Sequence, residues 1–364
     1  MDAREIGMIA IDADGHVIEP EEMFSEYLAP EFRSRTQGFV LNADNNRRFI
    51  VDGVDHPPFP KEISVRKPMI AENRLKVLDK ERIQTAVLFP SAGLVSAYLD
   101  APLAMAVATA YNDWIADYVR PYADRLRFAA PLALHDVDRA IDEARRAVGE
   151  LGAVAVSIRP NPTERRTLDH RGYDPFYAAI EKLGVPLVIH ESTGCPETVG
   201  GNRYGGMDDP ESYALNHVIS HSFEQMFAAM SVLCGGVLER FPTLKVGFFE
   251  AGCSWAPYWL ARLDDHYGHP KLGRYMKGLS MRPSEYFERQ CVVTCDPGDH
   301  TLPLAIAGLG ADKILFATDY PHFDSGGGAV NEFLAVEGVS SADQRKILWN
   351  NTAEFFGLEV PVAA

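Results

Sequence analysis

Ionisable side chains close several short apolar runs of this sequence. The first run ends in Asp14 and His16, a later run ends in His190, another ends in Glu250, and the last ends in Asp319. Each residue alone has a structural explanation, because a carboxylate after a strand often caps a helix and a histidine is often a hydrogen-bonded structural residue. Gathered in one buried place, three carboxylates and two histidines would carry a large desolvation penalty unless a cation compensated it. The set therefore predicts a metal site.

The donor types indicate which cofactor such a site would hold. Imidazole nitrogens and carboxylate oxygens together suit a divalent ion such as Zn, Mn or Fe. The five cysteines form no CxxC pair, and their odd number fits reduced thiols better than a disulfide framework or a thiolate-metal site. We expect one or two divalent ions per chain.

Eight apolar, β-branched runs alternate with amphipathic segments along nearly the whole chain, which is the pattern of βα units around a parallel sheet. The predicted strands are 7–14, 84–90, 126–132, 154–159, 186–190, 245–250, 290–296 and 313–319. Eight strands that alternate with helices favour a closed barrel over an open sheet. The sequence therefore predicts an α/β protein with the (β/α)8 TIM-barrel fold. In such a barrel the catalytic groups come from the carboxyl ends of the strands, where the ionisable residues stand.

Residues 17–80 interrupt this alternation and are interpreted as an insertion after the first strand, because they hold several prolines and two short β-like runs instead of a helix. No linker or internal repeat divides the chain, so residues 1–364 are predicted to form a single domain. Apolar residues of the insertion, such as Phe24, Phe39 and Phe49, need a surface to cover. We therefore expect the insertion to cover the barrel mouth or a dimer interface, and the protein to be a homo-oligomer, a dimer.

Composition and charge limit the partners. Hydrophobic residues make up 46% and charged residues 24% of the chain, which is typical of a globular protein. A net charge of −16 would repel polyanions, so nucleic acid and acidic membranes are disfavoured and a small-molecule substrate is expected. The apolar stretch 92–119 is interrupted by acids, which argues against a membrane span, and no signal peptide is visible at the N-terminus. These observations predict a cytoplasmic protein.

Five segments, in their order and spacing, resemble the amidohydrolase-related branch of the amidohydrolase superfamily, which includes aminocarboxymuconate-semialdehyde decarboxylase. The segments are IDADGHVIEP, PLVIHEST, CGGVLERFPTLKVGFFEAGCSW, LFATDYPH and ILWNNTAEFFGL. The resemblance covers most of the chain. It implies that Asp14 and His16 are the metal-binding pair of strand one, that His190 is the ligand of strand five, and that Asp319 is the carboxylate of strand eight, able to accept a proton from metal-bound water.

Strand six departs from the family pattern. The decarboxylases of this branch end that strand in a histidine that handles a proton, whereas this chain has Glu250. Glu250 would transfer a proton with a different pKa or would bind the metal. His221, expected where the chain enters a long helix, is a further candidate catalytic residue and metal ligand. With it the set holds three histidines and three carboxylates, which is enough for two metals.

Three further residues have weaker functional interpretations. Arg159 is a candidate substrate-binding residue because its guanidinium would pair with a carboxylate, although a neighbouring acid would serve as well. Trp255 is a candidate wall of the substrate pocket, although such aromatic residues are more often packing. Glu224 lies one turn after His221 and is a candidate to orient it through a hydrogen bond, although an exposed glutamate at the start of a helix is the commoner case.

These observations leave several functions open. The leading one is a metal-dependent hydrolase that attacks a small carboxylated or carbonyl-containing molecule with metal-activated water, since the strand-six histidine of the decarboxylases is missing. The first alternative is a dinuclear Fe or Mn/Fe hydroxylase or oxidase that uses O₂, because oxygen chemistry occurs on this scaffold and the donors suit redox metals. The second alternative is a non-oxidative decarboxylase. A catalytically silent paralogue is disfavoured because the ligand set is retained.

Overall fold

The computed structural model describes residues 9–41, 47–51, 54–56, 70–91, 99–191, 198–204, 210–276, 278–322 and 327–359. Eight parallel strands form one sheet in chain order, and three short antiparallel strands form a second sheet. The strands of the large sheet are β1 (Ala10–His16), β5 (Ile83–Phe89), β6 (Leu126–Pro131), β7 (Ala155–Ile158), β8 (Leu187–His190), β9 (Val246–Phe249), β10 (Cys291–Cys295) and β11 (Ile314–Phe316). The small sheet holds β2 (Thr36–Leu41), β3 (Arg47–Val51) and β4 (Val54–His56).

Helices separate most strands of the large sheet, as the predicted βα alternation requires. They are α1 (Ala71–Glu81), α2 (Ala101–Val119), α3 (Val137–Arg146), α4 (Asp174–Leu183), α5 (Val199–Tyr204), α6 (Pro210–Cys234), α7 (Val237–Arg240), α8 (Trp255–Gly268), α9 (Pro283–Gln290), α10 (Leu302–Leu309), α11 (Ala329–Leu334), α12 (Ser341–Arg345) and α13 (Asn351–Phe356). Within the described ranges, no helix is both long and apolar enough to span a bilayer.

The large sheet closes on itself where its first and last strands meet. Across this seam the amide of Asp319 donates to the carbonyl of Asp14 at 2.9 Å, and the amide of His16 donates to the carbonyl of Tyr320 at 2.8 Å. Side chains such as Val87, Val188 and Leu315 fill the interior, together with Phe355 and Phe356 of α13. The barrel is thus a packed core, and the predicted (β/α)8 fold is confirmed.

One residue of the insertion reaches the seam. Arg74 of α1 is fully buried, and its guanidinium donates to the carbonyl of His16 and, at 3.0 Å, to that of Tyr320. This part of the insertion therefore supports the barrel wall. The predicted single domain of residues 1–364 stays a prediction. So does the role of residues 17–80 over the mouth or at a dimer interface.

Candidate metal centre

Each of two strands is followed by a carboxylate residue with a left-handed backbone. Glu250 follows β9 with φ of 59°, and Asp319 lies three residues after β11 with φ of 52°. Both values lie in the left-handed region, which costs a residue other than glycine about 1–3 kcal/mol and is frequent at functional sites. The strands predicted to reach residues 250 and 319 end at Phe249 and Phe316. The two carboxylates lie in the turns at the barrel mouth.

Four buried or half-buried side chains converge on one point. His190 Nε2 lies 3.1 Å from Asp14 Oδ1 and 3.1 Å from Glu250 Oε2. His16 Nε2 lies 3.5 Å from the same Asp14 oxygen and 3.4 Å from the same Glu250 oxygen. This set is a candidate metal site, with one donor atom from each side chain.

The remaining predicted site residues surround this cluster. Asp319 Oδ1 lies 3.3 Å from His16 Nε2. His221 Nε2 lies 3.3 Å from Glu250 Oε1, the oxygen that does not face His16 and His190. The structure thus brings together all six residues predicted as metal ligands.

Hydrogen bonds show that these donors suit a cation. In three histidines Nδ1 bonds a backbone carbonyl, which can only accept, so Nδ1 carries a proton and Nε2 is the nitrogen that would present a lone pair to a cation. The bonds are His16 Nδ1 to Pro90 O at 2.9 Å, His190 Nδ1 to Glu191 O at 2.7 Å, and His221 Nδ1 to His217 O at 3.0 Å. Among the described side chains, the buried atoms His16 Nε2 and Glu250 Oε2 have no hydrogen-bond partner. A divalent ion would be bound by the imidazole nitrogens and by the carboxylate oxygens that face them. These residues therefore fit a divalent metal ion.

When no ion is present, the histidines and carboxylates of this cluster shift one another's pKa values. Burial alone would lower the pKa of His221, but the hydrogen bond and charge of Glu250 raise it to about 9. Burial also opposes protonation of His190, and the charges of Asp14 and Glu250 again raise its pKa. For Glu250, burial would raise the pKa, but His190, His16 and His221 together hold it well below its usual value. The carboxylate is therefore ionised and available to bind a cation.

A cavity of about 310 Å³ opens onto this cluster and admits only a small substrate. Its lining includes Asp14, His221, Glu250 and Asp319, and also His217 and Asp296. The chemical groups at its floor are carboxylates and imidazoles, which can bind a metal and move protons.

Arg159 belongs to a buried polar network beside the cavity. Its guanidinium lies 3.0 Å from Glu191 Oε1 and 3.2 Å from Asn161 Oδ1. Asn161 in turn donates to Glu224 Oε2 at 2.9 Å, and Val199 N donates to Glu224 Oε1 at 2.7 Å. The ring nitrogens of His221 bond His217 O and Glu250 Oε1, so the candidate role of Glu224 in orienting His221 is not supported. The substrate-binding role of Arg159 stays a prediction.

Trp255 is buried at the start of α8. Its Nε1 donates to the carbonyl of Gly252 at 3.0 Å, and its ring contacts the ring of Phe248 edge-on. It lines a neighbouring cavity and not the one above the metal cluster. Its predicted contact with substrate stays a prediction.

Helix α6 brings two residues to the site. His221 lies well inside this helix, so the expectation that it marks the entry of the helix is wrong; the helix begins at Pro210. Proline at the start of a helix was the available signal. Gln225 lies one turn further on, and its Nε2 donates to the carbonyls of Ile189 and Phe249 at 2.8 Å each. Gln225 thus ties together the ends of the strands that carry His190 and Glu250.

A second group of residues beside Asp319 was missed by sequence reasoning. His322 Nδ1 lies 2.6 Å from Asp319 Oδ1, and His322 Nε2 lies 2.9 Å from Ser91 Oγ. Ser91 N donates to the carboxylate of Glu19 at 3.2 Å and 3.4 Å. Burial, followed by the charge of His16, holds the pKa of His322 well below its usual value. His322 stands three residues after Asp319 in the LFATDYPH segment. Ser91 and Glu19 reach it from segments far away in the chain, so no local pattern announces their contacts.

A (β/α)8 barrel whose histidines and carboxylates meet at the carboxyl ends of the strands defines the class of metal-dependent barrel enzymes. The chain belongs to the amidohydrolase family, whose model matches residues 11–358. The predicted resemblance is confirmed.

Curated relatives and solved structures agree with this assignment. Gamma-resorcylate decarboxylase of Rhizobium sp. (strain MTP-10005) is 29% identical over 307 residues, which cover 82% of this chain and 90% of the relative. The 2-amino-3-carboxymuconate-6-semialdehyde decarboxylase of Dictyostelium discoideum is 26% identical over 288 residues, which cover 79% of this chain and 76% of the relative. The crystal structure of a dihydroxybenzoic acid decarboxylase from Polaromonas sp. JS666, with bound manganese and the inhibitor 2-nitroresorcinol, has a TM-score of 0.70 at 24% identity and covers 98% of each chain.

Proposed function

We propose that this protein is a metal-dependent lyase that removes the carboxyl group, without oxidation, from a small hydroxylated aromatic or unsaturated carboxylate. The observation that carries the proposal is the contact between His221 Nε2 and Glu250 Oε1 at the edge of the metal cluster. It supplies a proton-holding imidazole in the cavity, beside a site built for a cation. The decarboxylase activities named for the relatives support the same chemistry.

Asp14, His16, His190 and Glu250 would hold the ion, with Asp319 beside them. A bound divalent ion supplies a Lewis acid that orients and polarises oxygen atoms of the substrate. Manganese is the first choice, because a structural relative contains it.

The residues of this chain then handle the proton. The bond between the ring or alkene carbon and the carboxyl carbon breaks, carbon dioxide leaves, and the electron pair remains on the substrate carbon. That carbon takes the proton that His221 holds at Nε2, where the carboxylate of Glu250 lies 3.3 Å away and favours the protonated ring. In the decarboxylases that this chain resembles, a histidine at the end of strand six handles the proton. Here Glu250 has that position, and it pairs with His221, which holds the proton.

Hydrolysis, the leading sequence-based expectation, has less support than decarboxylation, because both curated relatives compared above are named as decarboxylases. A second candidate is the dinuclear enzyme that uses O₂. It is favoured by one observation, namely that the two oxygens of Glu250 face different histidines, as a carboxylate that bridges two ions would.

The test is a reconstitution assay. Metal-free protein is reloaded with Mn, Zn or Fe and incubated with a panel of ortho-hydroxylated benzoates in D₂O, while carbon dioxide release and oxygen uptake are recorded together. We expect carbon dioxide release, one deuterium on the product carbon and no oxygen uptake. Oxygen uptake that requires two ions per chain would establish the dinuclear candidate instead. Turnover of amides or esters, without turnover of the carboxylates, would support hydrolysis as the function instead.

A further inference from the structure

We propose that His322 is a ligand of the metal centre through its Nδ1 atom and that Ser91 holds it in this role. The inference rests on the metal-dependent function proposed above, and it adds a fourth histidine to the predicted ligands. His322 stands just after Asp319, outside the regular strand, and its side chain is only 12% exposed. Its ring packs against that of His16 with centroids 4.0 Å apart. Donor atoms of His16, Asp319 and His322 lie within 4.8 Å of one another.

The direction of the hydrogen bonds fixes the tautomer of His322. Ser91 Oγ donates its only hydrogen to the carbonyl of Val17 at 2.8 Å. The same oxygen must therefore accept from His322 Nε2, which lies 2.9 Å away. Nε2 thus carries a proton, and Nδ1 is the ring nitrogen directed at Asp319 Oδ1, which lies 2.6 Å away.

This arrangement repeats the pattern of the other histidines. In His16, His190 and His221 one ring nitrogen also bonds a fixed acceptor while the other nitrogen faces a carboxylate. Such a bond on the outer nitrogen orients a metal-binding imidazole and raises its basicity. Nδ1 of His322 and Oδ1 of Asp319 form the same kind of facing pair at 2.6 Å, and a cation bound by both atoms would hold them together. The geometry is therefore that of a ligand pair.

Ser91, which bonds His322, is itself held in place by Glu19. The amide of Ser91 donates to both carboxylate oxygens of Glu19, which is fully buried, at 3.2 Å and 3.4 Å. A buried carboxylate is retained at a cost in desolvation, which its hydrogen bonds offset. Glu19 and Ser91 thus keep the hydroxyl in place, and the hydroxyl keeps Nδ1 directed at Asp319. Ser91 is a positioning residue, since it reaches the centre only through His322.

The experiment measures metal binding directly. Metal-free wild type, His322→Phe, Ser91→Ala and the surface control His170→Phe are titrated with Mn²⁺ alone, and ions per chain and Kd are determined. His322→Phe keeps a ring against His16 but removes both nitrogens. We expect it to lose an ion or to bind Mn²⁺ at least about 10- to 100-fold more weakly, since even outer partners of ligands contribute that much. Ser91→Ala should weaken binding less, and His170→Phe should match wild type.

A spectroscopic readout separates ligation from a structural role. Electron spin-echo measurements on Mn²⁺ in protein labelled with ¹⁵N-histidine count the coordinated nitrogens, and His322→Phe should lack one that Ser91→Ala retains. If His322→Phe fails to fold, His322→Asn is measured in its place. Unchanged stoichiometry, Kd and nitrogen count overturn the inference. If wild type binds metal and His322→Phe weakens it, but no carboxylate is decarboxylated, only the proposed function fails.

Discussion

Glu250 Oε1 lies 3.3 Å from His221 Nε2, while the other oxygen of the same carboxylate faces His16 and His190. Glu250 therefore belongs to the candidate metal site through one oxygen. Through the other oxygen it pairs with His221, which holds a proton. This division makes the roles of the two residues separable by experiment.

The first prediction concerns metal content. Glu250→Gln replaces an anionic donor by a neutral one, so Mn²⁺ affinity should fall by about 10-fold or more. His221→Gln should keep the metal content of wild type while turnover falls by roughly 10² to 10⁴, the usual contribution of a general acid. Both are measured by elemental analysis and steady-state kinetics on proteins prepared side by side. Metal loss in His221→Gln would show that His221 ligates an ion and would favour two metals.

The second prediction concerns the pH dependence of metal-free protein. The pKa of His221 rises from 6.5 to about 9 because Glu250 outweighs the effect of burial. A raised pKa means that the folded protein binds this proton more tightly than the unfolded chain does. The resulting stabilisation is complete below pH 6.5 and is lost as the pH rises through about 9. We expect the difference in free energy of unfolding between wild type and His221→Gln to shrink by on the order of 2 kcal/mol between these limits. A constant difference from denaturant titrations across this range would contradict it.

The third prediction tests how the strand ends are held. Gln225→Leu removes the donor from the carbonyls of Ile189 and Phe249, and each orphaned carbonyl should cost about 1–3 kcal/mol of stability. It should also weaken Mn²⁺ binding, because these carbonyls precede His190 and Glu250. Gln290→Leu is the matched control, since Gln290 Nε2 donates to the carbonyls of Phe241 and Leu244 at 2.8 Å and 2.7 Å, away from the site. The control should lose similar stability and keep the Mn²⁺ affinity of wild type. Equal losses of Mn²⁺ affinity in both variants would contradict the role of Gln225 in holding the strand ends.

The fourth prediction concerns Arg159. Arg159→Met removes a cationic partner from the buried Glu191, and breaking a buried ion pair on one side costs about 3–5 kcal/mol. The double variant with Glu191→Leu should recover much of this loss, because neither charge then remains. Denaturant unfolding of the three proteins measures the effect. A single variant as stable as wild type would mean that the pair is structurally dispensable.

Most barrel strands could be predicted because they are short, mainly apolar runs that are almost fully buried. The predicted strand 186–190 corresponds to β8 (Leu187–His190), and 126–132 corresponds to β6 (Leu126–Pro131). Errors occur where the tertiary structure decides the local conformation. The backbone turns left-handed at Glu250, directly after β9, and at Asp319, three residues after β11, which composition does not reveal.

The candidate site could be predicted in part for the same reason. Asp14, His16, His190 and Glu250 stand at or directly after strand ends, so the barrel fold alone gathers them. Ser91, Glu19 and Arg74 could not be predicted, because their roles depend on hydrogen bonds between segments far apart in the chain. Glu224 was assigned by helical spacing, and the competing bond from Asn161 decided its position instead.

The seam of the barrel sets the order in which this protein can acquire its metal. Asp14 and His16 belong to the first strand, whereas Asp319 and His322 follow the last one, and they meet only when backbone bonds join the two ends of the sheet. During synthesis the ribosome releases the first half of this ligand set long before the second. A chain that ends before Asp319 therefore lacks part of the candidate donor set, and we expect it to bind Mn²⁺ more weakly than the full chain.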